Sequence, residues 1–239
     1  MPLLKKPGYI QWLYLVTVIL FIGCNPKIAD GVRKKDIIKD VEMITDKGNI
    51  YIRLSDSTAL HRNNFLKLAK QHYYDGILFH RVIQHFMIQA GDPQSKNAAA
   101  GIKLGEGDLG YTIPAEFNPS LFHKKGVIAA AREGDDINPQ KASSAAQFYI
   151  VQGMIFSEEG LDSLEKTRLN GKIIPRVRRA VYTTIGGTPH LDGNYTVFGE
   201  VIKGLETVDS IAATPVNRKL GNRPLQDIHI KKVRLIKRS

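Results

Sequence analysis

The stretch FHRVIQHFMIQAGD, residues 79–92, decides the fold because it sets a charge among short apolar runs. Val82, Ile83, Phe86, Met87 and Ile88 are residue types that strands bury. Arg81 stands among them, and a buried guanidinium is costly unless it is paired or hydrogen-bonded. Two readings are open from this pattern. Arg81 lies on a half-exposed strand edge, or the fold holds it at a site where it has work to do.

Outward from that stretch, short extended runs alternate with turns. Residues 41–54 form two alternating runs around Asp46-Lys47-Gly48-Asn49, the pattern of a hairpin. Over residues 57–73 the spacing becomes helical: Leu60, Asn64, Phe65, Leu68 and Ala69 share a face. Ser57 or Thr58 is placed to cap that helix, and Asp75-Gly76 ends the segment. A long glycine-rich loop then runs from Gly91 to Gly110. Strands are predicted near 111–117, 126–132, 147–152 and 196–202, a helix over 205–212 and a last strand over 228–236. Many short strands with few helices indicate a mainly β sandwich or barrel.

The 239 residues are 43% hydrophobic and 24% charged, an ordinary globular balance with enough apolar side chains for a core. The net charge of +11 raises a nucleic-acid reading. However, the basic clusters at residues 33–35, 176–179 and 231–238 lack the interleaved aromatics of a stacking platform. A solvated face or attraction to anionic headgroups explains them with fewer assumptions, so no nucleic-acid partner is expected. One cysteine excludes an internal disulfide, and the seven histidines are scattered. No metal or other cofactor is expected.

The N-terminus reads as an address. Lys5 and Lys6 precede an apolar run of 14 residues from Tyr9 to Ile22, too short to favour a permanent span. It ends in Phe21-Ile22-Gly23-Cys24, which resembles a bacterial lipoprotein signal in which the cysteine becomes the acylated mature terminus. The expected organisation is a signal peptide over 1–23, a flexible tether over 24–40 and one domain over 41–239. An uncleaved signal anchor is the alternative. Both readings place the domain in the cell envelope, facing the periplasm or the exterior. Cleavage removes two lysines and no acid, taking the net charge from +11 to +9.

Two motifs invite other functions. Gly105-Glu106-Gly107-Asp108-Leu109-Gly110 matches G-x-G-x-x-G, but an extended segment closed by Pro114 follows it where a dinucleotide site needs a helix. Ser143-Ser144 suggests a hydrolase, yet there is no G-x-S-x-G elbow, and His123 has no evident orienting acid in the sequence.

Five segments in order point elsewhere: YYDGILFHRVIQHFMIQAGDP (73–93), IPAEFNP (113–119), GVIAAAR (126–132), AAQFYIVQG (145–153) and HLDGNYTVFGEVIKG (190–204). Together they resemble the signature blocks of the cyclophilin family of peptidyl-prolyl cis-trans isomerases over roughly residues 41–236. The resemblance implies a closed eight-stranded antiparallel barrel capped by helices, with the substrate in a groove on its outside. It places the family's catalytic arginine on Arg81 and its polar groove residues on Gln89 and Gln147. The proline-pocket wall falls on Phe86, Met87, Tyr149 and Leu191, and the peptide-backbone clamp on Ala131 and Arg132.

The implied chemistry suits those residue types. Resonance gives a peptide bond a rotation barrier of about 18–20 kcal/mol. At X-Pro the cis form lies only about 0.5–1 kcal/mol above trans, yet exchange is slow. No bond is made or broken, so neither nucleophile nor metal is required. An apolar pocket suits a proline ring, which has no N–H to satisfy. A guanidinium directed at the prolyl amide favours the twisted state, in which nitrogen regains lone-pair character. The partners expected are proline-containing segments of folding envelope proteins, met by a monomer held at the membrane through Cys24. A proline-binding chaperone or scaffold with little turnover is the runner-up.

The chain departs from many relatives at three groove positions. His190 stands in place of a rim tryptophan, Tyr195 in place of a histidine and Arg132 in place of an asparagine. Altered peptide preference and weaker binding of cyclosporin, which inhibits members of this family, are the expected results. An insertion over residues 154–187 is the other departure. Leu161, Leu164 and Glu165 suggest one helix, and Pro175 starts a second with Val177, Ala180, Val181 and Thr184 inward and Arg176, Arg178 and Arg179 elsewhere. It reads as a lid over a barrel end, or as a docking surface.

Overall fold

The computed structural model describes residues 27–29 and 31–238. The proposed signal, including Cys24, lies outside the described residues. The dominant element is a nine-stranded, wholly antiparallel sheet. Its strands are β1 (Lys39–Thr45), β2 (Gly48–Leu54), β3 (Ile77–Leu78), β4 (Arg81–Ile83), β5 (Met87–Ala90), β6 (Val127–Ala130), β7 (Phe148–Val151), β8 (Val197–Lys203) and β9 (His229–Lys237). Their spatial order is β3-β9-β1-β2-β8-β6-β7-β5-β4.

The two edge strands, β3 and β4, adjoin in sequence, so one segment over 77–83 serves both edges and curls the sheet into a barrel. The sheet thus has nine strands, against the eight expected, because this segment is broken into two. The break falls at Phe79 and His80, both buried. There the chain leaves one neighbour for the other: Phe79 N–H donates to Ile228 O at 2.9 Å, and Val82 N–H to Asn222 O at 3.0 Å.

Two-residue periodicity sorts the side chains. Ile50, Ile52, Ile88, Ile128, Ala130, Phe148 and Ile150 fill the interior. Met87, Val127, Ala129, Tyr149, Val151 and Val197 form a second apolar cluster on the opposite face. Strands β6 and β7 are therefore buried on both faces and read as continuous apolar runs, which is what places a pocket outside the barrel.

Helix α1 (Ala59–Lys70) inserts Phe65, Leu66, Leu68 and Ala69 into the interior, and α4 (Leu205–Ala212) inserts Val208, Ile211 and Ala212. Leu60, assigned to the inner face from its spacing, is half-exposed. Neither Ser57 nor Thr58 caps α1 by its side chain. The Glu116 carboxylate does so instead, accepting from Leu60 N–H at 3.0 Å and His61 N–H at 2.9 Å.

The tether expected over 24–40 is shorter than its composition suggests. Val32 is fully buried in the main core, and the buried Asp36 accepts from Lys70 Nζ at 2.6 Å and Arg33 N–H at 3.0 Å. One valine and a set of ion pairs are enough to hold a polar segment on the domain. By Asp40, whose carboxylate takes Arg53 in a two-pronged pair at 2.9 and 2.8 Å, the chain is already inside β1.

The insertion folds as two helices, α2 (Glu158–Thr167) and α3 (Arg176–Tyr182), around Leu161, Ile174 and Tyr182. Ser157 caps α2 by accepting from Gly160 N–H at 3.0 Å. The inner face expected of α3 is wrong: Val177 is 77% exposed, while Tyr182, Arg178 and Arg179 turn inward. Arg179 is taken up by Glu158, Asp162 and Glu165, so burial here follows pairing rather than hydropathy. The insertion is pinned to the barrel where Gly187 bridges Met154 and Lys124. A Cβ at Gly187 would collide with the His123 carbonyl, which explains the glycine.

Candidate active site

Antiparallel register aligns the site. Arg81 on β4 lies opposite Gln89 on β5, and Gln89 lies opposite Tyr149 on β7. Arg81 Nη1 donates to Gln89 Oε1 at 3.1 Å, and Gln89 Nε2 donates to Gln147 Oε1 at 3.0 Å. Gln147 Nε2 donates to the carbonyls of Gly105 at 2.9 Å and Gly107 at 2.8 Å. The two glycine carbonyls accept only, so they fix which end of each amide faces which way. The end result is one acceptor aimed at Arg81.

The G-x-G-x-x-G run thus supplies carbonyls to the site. It is folded by the buried Asp92, which accepts from Gln94 N–H at 2.8 Å and Gly105 N–H at 2.6 Å. A Cβ at Gly107 would strike the Asp92 carboxylate, so the loop needs glycine there.

A cavity of about 130 Å³ is lined by Arg81, Phe86, Met87, Gln89, Ala131, Arg132, Tyr149, Leu191 and Tyr195. Every one of these had been assigned to the groove from the sequence. A larger groove of about 630 Å³ shares Gln89, Ala131 and Arg132 with it and adds Gln147 and the 105–108 loop. His190 does not line the cavity. It stacks behind Phe86, ring centroids 5.5 Å apart and planes at 21°, and burial pushes its imidazole down to about 4, aided by the charges of Arg168 and His123. The ring is therefore neutral near pH 7, and its buried Nδ1 has no partner among the described residues.

Two arginines flank the cavity in opposite states. Arg132 is fully engaged: Nε donates to Asn194 O at 2.7 Å, Nη1 to Glu133 O at 2.8 Å, and Nη2 pairs with Asp135 at 2.6 Å. Its guanidinium also lies 4.7 Å over the Tyr195 ring. Arg81 is part-buried, and burial pulls its guanidinium below the ordinary arginine value, partly offset by Tyr195. Among the described residues no carboxylate pairs with it, and Gln89 is its hydrogen-bond partner. A polar group poised over an apolar cavity with donors to spare can bind a carbonyl or amide without covalent chemistry.

The family model for cyclophilin type peptidyl-prolyl cis-trans isomerases matches residues 40–235. The chain belongs to the cyclophilin family. A Staphylococcus haemolyticus protein provisionally named a peptidyl-prolyl cis-trans isomerase is 36% identical over 209 residues, 87% of this chain and 96% of that protein. A Staphylococcus aureus relative of the same name is 35% identical over the same shares. Among solved structures, a Cryptosporidium parvum cyclophilin type peptidyl-prolyl cis-trans isomerase superposes with a TM-score of 0.59 at 23% identity, covering 84% of this chain and 99% of that one. The activity of this cyclophilin is peptidyl-prolyl cis-trans isomerisation.

Sequence reasoning missed one part of the cyclophilin site. His123 does have an orienting acid: its Nδ1 lies 3.1 Å from Asp192 Oδ1, and its Nε2 lies 2.9 Å from the Tyr149 hydroxyl. His123 is fully buried. Asp192 is part-buried; desolvation alone would raise its pKa, but the hydrogen bond and charge of His123, with Tyr182, hold it below the usual carboxylate value. The pair is separated by 69 residues, so no local spacing could reveal it.

Proposed function

We propose that this cyclophilin isomerises X-Pro bonds in proteins folding in the bacterial cell envelope, as a lipid-anchored monomer with Arg81 as its catalytic donor. The observation that carries the catalytic part is the state of Arg81. It is charged, part-buried, without a carboxylate partner among the described residues, and held by Gln89 at the wall of an apolar cavity. The proline ring enters against Phe86, Met87 and Leu191, with Tyr149 and Tyr195 closing the wall. The guanidinium then meets the prolyl amide, where it stabilises the twisted state more than either planar one. Gln89 orients it, Gln147 orients Gln89, and Ala131 and Arg132 clamp the backbone of the bound peptide.

The related Cryptosporidium cyclophilin has been solved in the presence of the dipeptide Ala-Pro. An Ala-Pro peptide is accordingly the natural assay substrate. Protease-coupled or exchange measurements on Arg81→Ala test the assignment, and near-normal turnover in that variant would remove it.

The envelope part rests on the sequence of residues 1–24. Among the described residues no helix is long and apolar enough to cross a membrane. We assign the anchor to an acylated Cys24 at the end of the apolar run 9–22, where more than one acyl chain gives stable attachment. Labelling with a radioactive fatty acid should be lost in Cys24→Ala together with recovery in the membrane fraction. Unchanged labelling would sink the anchor.

A further inference from the structure

Asp192 connects the helical insertion to the pocket wall, and its two oxygens divide the work. Oδ1 accepts from His123 N–H at 2.8 Å and faces His123 Nδ1 at 3.1 Å. Oδ2 accepts from Arg178 Nη1 at 3.0 Å and from the Tyr182 hydroxyl at 2.8 Å, both on α3 of the insertion. Beyond His123 stands Tyr149, its hydroxyl 2.9 Å from Nε2 and its ring stacked on the imidazole with planes at 16°. Tyr149 is a wall of the cavity.

A phenylalanine would fill that wall as well as tyrosine does. The hydroxyl adds one thing, a fixed point for the ring. We infer that Asp192, His123 and Tyr182 are positioning residues, and that the insertion uses them to hold the Tyr149 ring in the shape that receives proline. This rests on the cavity being the proline site.

Several features make a relay a better description than generic packing. Both Asp192 oxygens are filled, and the carboxylate side chain is only 12% exposed, so it cannot swing to water when a partner is lost. His123 is fully buried between two fixed groups, so a change at one ring nitrogen is felt at the other. Arg178 is itself anchored, with Nη2 donating to Pro119 O, so α3 forms a rigid support. Leu191, the neighbour of Asp192, lines the same cavity, so displacement of the carboxylate also moves that part of the lining.

The experiment uses the full chain and an Ala-Pro peptide, with Arg81→Ala as the reference for the site itself. Tyr182→Phe and Tyr149→Phe each remove one hydroxyl and leave no cavity, and each should raise KM about threefold with kcat within twofold. Asp192→Asn should raise KM about tenfold. The double variant Asp192→Asn/Tyr149→Phe should be no worse than Asp192→Asn alone, because both break one chain. A purely structural role would instead lower the unfolding midpoint, leave KM in place and give multiplying effects. If Asp192→Asn fails to fold, Tyr182→Phe decides. Loss of turnover in Arg81→Ala with unchanged KM in Tyr182→Phe and Tyr149→Phe overturns the relay alone. Full turnover in Arg81→Ala overturns the site and the relay with it.

Discussion

Arg81 and Arg179 are both drawn partly into the protein, one at the pocket and one in the insertion, and they are kept in opposite electrostatic states. Arg179 meets three carboxylates, Glu158, Asp162 and Glu165, at 2.6 to 2.8 Å, and its pKa is raised, first by the hydrogen bond to Glu158. Arg81 meets an amide oxygen, and burial lowers its pKa. The insertion spends its guanidinium on cohesion. The pocket leaves one with no carboxylate among the described residues. An arginine whose charge is already answered holds a fold together, whereas one left unanswered beside an apolar cavity is available to a substrate.

That contrast fixes where each substitution should act. Arg81→Ala should lower kcat/KM by about 100-fold or more, the loss typical of removing one transition-state donor. Its unfolding free energy should stay within roughly 0.5 kcal/mol of the parent's. Peptide turnover and denaturant melts on the same preparation measure both, and a destabilised but active variant would erase the distinction.

The histidine beside Arg81 gives the next largest effect. Burial pushes His80 down to about 4, against the pull of Asp92, and neither ring nitrogen has a partner among the described residues. Unfolded, the same ring takes a proton near pH 6.5. The folded protein therefore loses stability as pH falls from about 6.5 towards 4, by about 3 kcal/mol from this residue. Urea melts across that window should show a fall that is shallower by this amount in His80→Leu. An identical slope in both proteins would mean the ring is not held neutral.

Arg179→Ala should do the converse of Arg81→Ala. It strips the buried Glu165 of its cation, leaving Ile174 N–H as the carboxylate's remaining donor at 2.8 Å. We expect a loss of about 2 kcal/mol, or roughly 4–8 °C in thermal midpoint, with kcat within twofold. A large fall in kcat at unchanged midpoint would show that the insertion arginine belongs to the chemistry.

The smallest effect concerns the rim. His190 supplies a small neutral ring behind Phe86 where many relatives present an indole. His190→Trp should tighten cyclosporin about tenfold, close to 1.4 kcal/mol, while turnover on Ala-Pro moves little. Equal affinity of both proteins in titration calorimetry would mean the rim does not select the drug.

The pocket was legible in the sequence because its residues crowd into a few dense segments. Arg81, Phe86, Met87 and Gln89 fall within nine positions; strand periodicity turns Arg81, Met87 and Gln89 to one face, and Phe86 joins them from the turn between β4 and β5. What stayed hidden depends on partners far along the chain. Glu116 caps a helix that begins 57 residues earlier, and Asp192 reaches back to His123. Val32 looked like part of a tether because one buried side chain leaves no period. Helix α3 was turned the wrong way because a seven-residue helix offers too few positions for hydropathy to outvote ion pairs, so Arg178 and Arg179 went in and Val177 went out.

The segment over 77–83 that joins both edges of the sheet also bears on how clients come and go. The strands it forms are two and three residues long, and the outward amides of Phe79 and Val82 are already given to Ile228 and Asn222. Along this segment a passing polypeptide finds no row of free backbone groups to zip onto. A chain held in the groove beside this segment leaves without unzipping from it. Such a surface suits brief, repeated visits to many chains and is ill suited to storing one of them.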